Sequence, residues 1–302
     1  MRAKTSWAML EHMIKLIVTM NTLPQAKKAQ ILKALTEGAS VRSTARMVGV
    51  SKNTVLKLLV EIGEMCTVYQ FYKLRNLPTK RVQADELWAF VGAKQRNAKR
   101  GGDGDCWTYV ALDADTKLAI TWLVGARNQE NTLDFVRDLS ERVANRVQIS
   151  TDGLYHYPTA VEAAFGWQGA DYAQIIKVFS HNRGEQGRYS PPTCVGVEKK
   201  AVMGSPEVAH VSTSFVERQN LTMRMTNRRF TRLTNAFSRK VQNHEMAVAL
   251  HFMTYNFCKP HGTLTKAAKG VHTTPAMASG VADHVWSVEE VLGLLDPKKL
   301  LQ

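Results

Sequence analysis

Near residue 81 the hydrophobic period of this chain changes from the 3.6 of helices to the 2 of strands, which narrows the folds open to it. Three runs rich in Val, Ile, Trp, Phe and Tyr follow one another across short turns: RVQADELWAFVG, CWTYVALDADT and KLAITWLVGA. They predict an antiparallel meander. Next, NQENTLDFVRDLSERVA places Leu133, Phe135, Val136 and Leu139 at helical spacing, and the strand RVQIST runs up to Asp152 and Gly153. A helix, YPTAVEAAF, and a short strand, QIIKVFS, complete the pattern. The predicted class is α/β, a mixed five-stranded sheet with helices.

Before residue 81 the reading is all-helical. QAKKAQILKALTE aligns Ile31, Leu32 and Leu35 and stops at Gly38; Ser40 can cap VRSTARMV, which ends at Gly49; Ser51 can cap the helix that reaches Gly63, with Val55, Leu58, Leu59 and Ile62 as its stripe. Three short helices with a glycine-bearing tight turn before the last predict a helix-turn-helix domain over 1–66. In that motif the start of the last helix meets base edges and phosphates, and here it carries Ser51, Lys52, Asn53, Thr54 and Lys57. A helical hairpin with a solvated basic face is the plainer alternative. Charge favours DNA: residues 1–81 hold fourteen Lys or Arg against four Glu, most of the excess behind a net charge of +14. A polar, basic connector is expected over 67–81, with Pro78 ending any helix.

That charge is compatible with nucleic acid or an anionic membrane surface. The most apolar N-terminal stretch, WAMLEHMIKLIVTM, is broken by Glu11, His12 and Lys15, so neither a signal peptide nor a spanning helix is expected. Cysteines at 66, 106, 194 and 258 form no CxxC or CxxH pair, which gives no zinc ribbon or disulfide framework and predicts free thiols in a reducing cytoplasm. No glycine-rich phosphate loop is present.

Three carboxylates stand out in the second half. Asp85, next to Glu86, lies inside an apolar strand, where a charge needs a hydrogen-bonding partner or a metal. Asp152 sits where a strand gives way to Gly153, also a common turn position for Asp. Glu217 is the only acidic residue of HVSTSFVERQNLTMRMTNRRFTRLTNAFSRK, in which Arg218, Arg224, Arg228 and four further cations follow it. Taken alone, it is a favourable first-turn charge on a helix dipole. Together, two strand carboxylates and one helix carboxylate, 67 and 65 residues apart, suit two hard divalent cations that also bind phosphate oxygens. The arginines would then hold a polyphosphate backbone, with Arg224 two helical turns beyond Glu217 on nearly the same face.

The order of strands and helices is that of a ribonuclease H-like domain, expected over 82–258. Moreover, DELWAFVGAK, STDGLYHY and VERQNLTMR resemble the three catalytic motifs of bacterial insertion-sequence transposases of the DDE type, most closely the InsB-like enzymes of insertion sequence one. The resemblance spans about Val82 to Phe257. It implies a transposase that binds the terminal inverted repeats of an insertion element and cuts and joins strands. Asp85, Asp152 and Glu217 match the catalytic and metal-binding triad for two Mg²⁺ or Mn²⁺ ions, Arg224 the basic residue after the glutamate, and Asn220 and Trp88 further motif positions. It further implies double-stranded DNA as partner, both element ends and target, a homodimer or larger assembly on it, no membrane, and a bacterial cytoplasmic, nucleoid-associated setting. The chain departs from the family in lacking a cysteine-rich zinc element, whose place the helix-turn-helix takes. Residues 259–302 are expected as a C-terminal tail resembling those of other transposases. A transposase-derived regulator that binds DNA without cutting, and a nuclease for RNA hybrids or branched junctions, are the alternatives. His181, Asn182, Arg183, His210 and the basic turn GAKQRNAKRGG are secondary candidates for touching DNA.

Overall fold

The computed structural model describes residues 23–179, 194–232 and 234–296. His181, Asn182 and Arg183 lie outside them, as does the N-terminal apolar stretch. The chain opens with α1 (Gln25–Thr36), α2 (Val41–Val48) and α3 (Lys52–Lys73). Ser40 Oγ accepts the Ser43 N–H and Ser51 Oγ the Thr54 N–H, so both predicted N-caps are in place, and Gly49 ends α2 at φ 67°. Ile31, Val55 and Ile62 are fully buried between these helices.

The helix α3 does not stop at Gly63. It crosses α7 (Val241–Met253) there, and a Cβ on Gly63 would lie 2.5 Å from the Met246 Cβ and 2.7 Å from its carbonyl oxygen. This glycine permits close approach of two helices instead of ending one. The helix continues to Lys73 through the segment expected as a connector, burying Tyr69 and Gln70. Gln70 Nε2 donates to the Cys66 and Ala249 carbonyls, and Arg142 donates to the Gln70 carbonyl at 3.2 Å. The helices before residue 74 and the sheet after residue 80 therefore share one hydrophobic core, which runs from Ile31 and Leu59 to Tyr109 and Ile149.

The sheet is mixed, with helices on both faces. Its strands are β1 (Arg81–Val91), β2 (Gly104–Asp113), β3 (Ala119–Gly125), β4 (Val147–Asp152), β5 (Ala170–Phe179) and β6 (Cys194–Met203), in the order β3-β2-β1-β4-β5-β6. β1 pairs antiparallel with β2 and parallel with β4, and β4 runs parallel to β5. The expected meander and the β4 and β5 strands are present. β6 makes six strands instead of five. Its residues are exposed along most of their length, so it has no alternation for a pattern to detect, and it is held by its ladder to β5.

α4 (Gln129–Ser140) and α5 (Tyr157–Gly169) cover one face of the sheet, while α6 (Ser214–Thr226) and α7 cover the other. Leu87, Ala89 and Val110 meet Val216, Met223 and Phe252 on the second face. Beyond α7, the short helices α8 (Gly262–Ala267), α9 (Pro275–Ala278) and α10 (Val288–Gly293) fold back. Trp286 packs on Tyr69 at 5.0 Å, and Val291 and Leu292 join the main core, so residues 259–296 are packed structure. All four cysteines are free thiols. Among the described residues no helix is long and apolar enough to cross a membrane.

Candidate active site

Unequal strand lengths make the site. β4 pairs with β1 only from Arg81–Gln148 to Ala84–Thr151, then ends at Asp152, while β1 continues to Val91. Asp85 is thus the first β1 residue beyond the pairing, and a notch opens beside it. Asp152 Oδ1 accepts the Leu154 N–H at 3.0 Å, turning the chain into α5 and leaving the carboxylate at the mouth of the notch.

Successive strand residues face opposite sides. Asp85 therefore faces α6, and Glu86 faces α5. At the notch nothing separates the two faces, and Asp85, Glu86 and Asp152 can each bring a carboxylate oxygen within 4.8 Å of the others. Burial, followed by the Asp152 charge, pushes the Asp85 carboxyl up to about 6; the same two causes raise Glu86 to about 7. Glu86 is also tied down. Tyr157 Oη donates to it at 2.5 Å and Arg127 Nη2 lies 2.9 Å away. The same Arg127 nitrogen is 3.4 Å from Asp152, and its guanidinium lies over the Trp107 ring.

The glutamate of the predicted triad comes from the first turn of α6. Gln83, two residues before Asp85 on the same face, accepts the N–H groups of Phe215 at 2.8 Å and Val216 at 3.2 Å. It fixes the start of α6 on β1 in place of a local cap. One turn past Glu217, Asn220 Nδ2 donates to Asp85 Oδ2 at 2.8 Å. Glu217 thus lies on the helix face that meets Asp85. It stands outside the three-carboxylate group, however: its Oε1 accepts from Lys177 Nζ at 2.6 Å and from Thr213 Oγ1 at 2.7 Å. Lys177, on β5, is charged against this carboxylate, which raises its pKa.

Burial and the Arg232 charge lower the Arg224 pKa while the Asp85 charge raises it, and Arg224 lies two turns past Glu217 on nearly the same face of α6. Arg218 and Arg228 are exposed, as are Ser51, Lys52, Asn53 and Lys57 at the start of α3 with Thr54 half-buried among them. Lys52 and Asn53 at the start of α3 share one groove with Arg228, away from the carboxylates. Trp88 packs against Phe90 and Lys94, and His210 pairs with Glu207 at 3.4 Å.

The site suits a hard divalent cation. Three crowded carboxylates, two of them desolvated, supply the oxygen ligands that Mg²⁺ and Mn²⁺ prefer. Asn220 Oδ1 is also buried there without a hydrogen-bond partner among the described residues. Sequence reasoning singled out Asp85, Asp152, Glu217, Asn220 and Arg224 but assigned nothing to Glu86, Arg127, Tyr157 or Lys177. Glu86 carried a signal, since a second acid in a core strand needs a partner just as the first does. Arg127 and Lys177, in a turn and on a strand end, carried none.

No protein-family model matches the chain, and no curated protein does. Among solved structures, a chain of a pre-cleavage Mos1 transpososome is similar over 50% of this chain and 60% of its own length, at 15% identity and a TM-score of 0.20. This chain therefore spans less than two thirds of that one, and a likeness so slight assigns neither fold nor function.

Proposed function

We propose that this chain is a DNA transposase of the DDE type, with a ribonuclease H-like catalytic core and a helix-turn-helix end-recognition surface. The observation that carries the reading is the Asn220–Asp85 hydrogen bond, which seats the Glu217 turn of α6 over the strand aspartate beside which Asp152 emerges. The strand order β3-β2-β1-β4-β5 and the motifs DELWAFVGAK, STDGLYHY and VERQNLTMR support it, and they extend it to an InsB-like bacterial insertion-sequence enzyme.

Asp85, Asp152 and Glu217 would hold the Mg²⁺ or Mn²⁺ ions, two per site. Ions held there would supply Lewis acidity for in-line displacement at a phosphodiester. The protein's own groups do the positioning. Asn220 orients the Asp85 carboxylate, and Gln83 fixes the helix that carries Glu217. Arg127 neutralises Glu86 and touches Asp152 at 3.4 Å, and it leaves Asp85 for cation binding. Arg224 offsets the charge of a phosphate at the notch, while Arg218 and Arg228 would meet the DNA backbone away from it. Ser51, Lys52, Asn53, Thr54 and Lys57 would read the terminal repeat. Partners are element-end and target duplexes and further copies of the chain, in the nucleoid of a bacterial cytoplasm.

One observation favours the second reading, a transposase-derived regulator that binds DNA without cutting: Glu217 is engaged by Lys177. A single assay separates them. Duplex DNA carrying the element's ends should be nicked there in Mg²⁺ or Mn²⁺ by the wild-type chain and left intact by Glu217→Gln, with end binding nearly equal. End binding without cleavage in either protein would refute the enzyme and support the regulator.

A further inference from the structure

Behind α6 lies a second cationic feature. A groove of about 880 Å³ runs between the starts of α2 and α3 on one side and residues 227–229 and 234–240 with the start of α7 on the other. Arg42 and Lys52 line the first wall; Arg228, Arg229, Arg239 and Lys240 line the second. No carboxylate lines it among the described residues. Of the α6 residues, Thr222 and Thr226 face it, about 140° and 180° around the helix from Glu217. The groove is therefore on the reverse side of α6 from the carboxylates, and a ligand in it is not the scissile phosphate.

Three features make it an anion site of extended form. The first is the positive ends of three helices: Ser40, Val41 and Arg42 from α2, Lys52 and Asn53 from α3, and Lys240 and Asn243 from α7. Lys240, at the start of α7, makes no side-chain cap among the described residues, and uncapped first-turn N–H groups are donors suited to an anion. The second is Arg229, whose guanidinium makes one hydrogen bond among the described residues, to Ser238 Oγ at 2.9 Å. Burial lowers it to about 10, so it stays charged at neutral pH with no carboxylate beside it, an arrangement that an arriving anion completes. The third is rigidity. Gly92 donates to the Ser238 carbonyl at 2.8 Å, Phe237 packs on Phe90 at 4.8 Å, and Asn227 donates to the Ala247 carbonyl at 3.1 Å, so the second wall is anchored to β1 and α7. The cations are spread along two walls, as a polymer of phosphates requires and a single phosphate does not.

We propose that this groove seats one sugar–phosphate strand of the DNA duplex recognised by α3, so that DNA is gripped jointly by the N-terminal helices and the segments 227–229 and 234–240. The inference deepens the transposase reading and rests on it for the identity of the polyanion. Recognition and cleavage surfaces then belong to one body of fixed geometry, because α3 is packed on α7 at Gly63.

The test uses the full chain and a fluorescein-labelled duplex carrying the element's end, titrated by anisotropy in EDTA between 50 and 200 mM salt. Arg42→Glu and the double variant Arg239→Glu/Lys240→Glu alter exposed side chains and should fold normally. Each is expected to weaken binding about tenfold or more at 100 mM salt and to flatten the plot of log K against log salt by about 0.9 for each phosphate no longer neutralised. Lys266→Glu, exposed and away from the groove, controls for net charge and should bind within about twofold of wild type. Groove variants that bind like Lys266→Glu overturn the proposal, even if the wild type cuts DNA in Mg²⁺. Weakened binding in a protein that never cuts would uphold the groove and refute the nuclease. A wild-type chain that fails to bind the duplex overturns both.

Discussion

Removing the negative charge from Asp85 should stabilise this protein wherever divalent metal is absent. In the metal-free fold the Asp85 carboxyl titrates at about 6, against about 3.8 for an unperturbed side chain, because it is buried and faces Asp152 and Glu217. A raised folded-state pKa gives stability that is fully present below the unfolded value and is lost as pH rises through the folded one. Metal-free wild type should therefore lose stability between pH 4 and 7, by up to about 3 kcal/mol from this residue at ~1.4 kcal/mol per unit. Asp85→Asn keeps an oxygen to accept from Asn220 and carries no charge to lose. At pH 8 in EDTA it should melt about 5 °C above wild type, at roughly 2 °C per kcal/mol for a chain of this size. At pH 4 the two should coincide. Mn²⁺ at about a hundred times its Kd should stabilise wild type by ~2.7 kcal/mol and the variant far less. Scanning fluorimetry across pH, with and without Mn²⁺, measures all of this. An Asp85→Asn chain destabilised equally at pH 4 and pH 8 would refute the reasoning and make Asp85 a structural hydrogen-bond acceptor.

Arg127→Leu should destabilise the fold by ~3–5 kcal/mol at pH 8, since it strands the Glu86 carboxylate in a site where its side chain is 1% exposed. The loss should shrink below pH 7 as Glu86 takes up a proton, a trend that urea melts at pH 8 and pH 5.5 would detect. Lys177→Met should release Glu217 and tighten Mn²⁺ binding several-fold in calorimetry; unchanged affinity would mean that the ion pair does not compete with metal. Lys52→Ala and Asn53→Ala should each reduce duplex binding, the lysine with a lower salt slope, and no effect from either would remove the α3 start from the DNA surface.

The parts legible in the sequence were those that repeat or punctuate. Ser40, Gly49 and Ser51 mark helix ends by local chemistry, and the strand periods placed β1 to β5 within a few residues. What escaped depends on packing between distant segments. Gly63 has the sequence signature of a helix stop, but Met246 on another helix decides its role. The 67–73 segment has the polarity of a connector, yet Gln70 is buried because Ala249, Asn256 and Arg142 meet its polar groups. β6 is a strand only because β5 supplies its ladder.

The same distinction governs the site. Strand alternation sends Asp85 and Glu86 to opposite faces, so sequence reasoning assigns the ligand role to one of them. The structure brings both to one notch because β4 ends a residue after its last pair with β1, a fact about two strand lengths that neither strand encodes alone. The notch then holds more negative charge than the sequence triad implies, and Arg127 is the group that balances it. Arg127 pairs with Glu86 and also reaches Asp152, while Lys177 pairs with Glu217. Asp85, whose only hydrogen-bonding side chain is the neutral Asn220, has no cation partner among the described residues. The metal-free site is thus short of positive charge at Asp85, the residue where an incoming divalent ion would gain most.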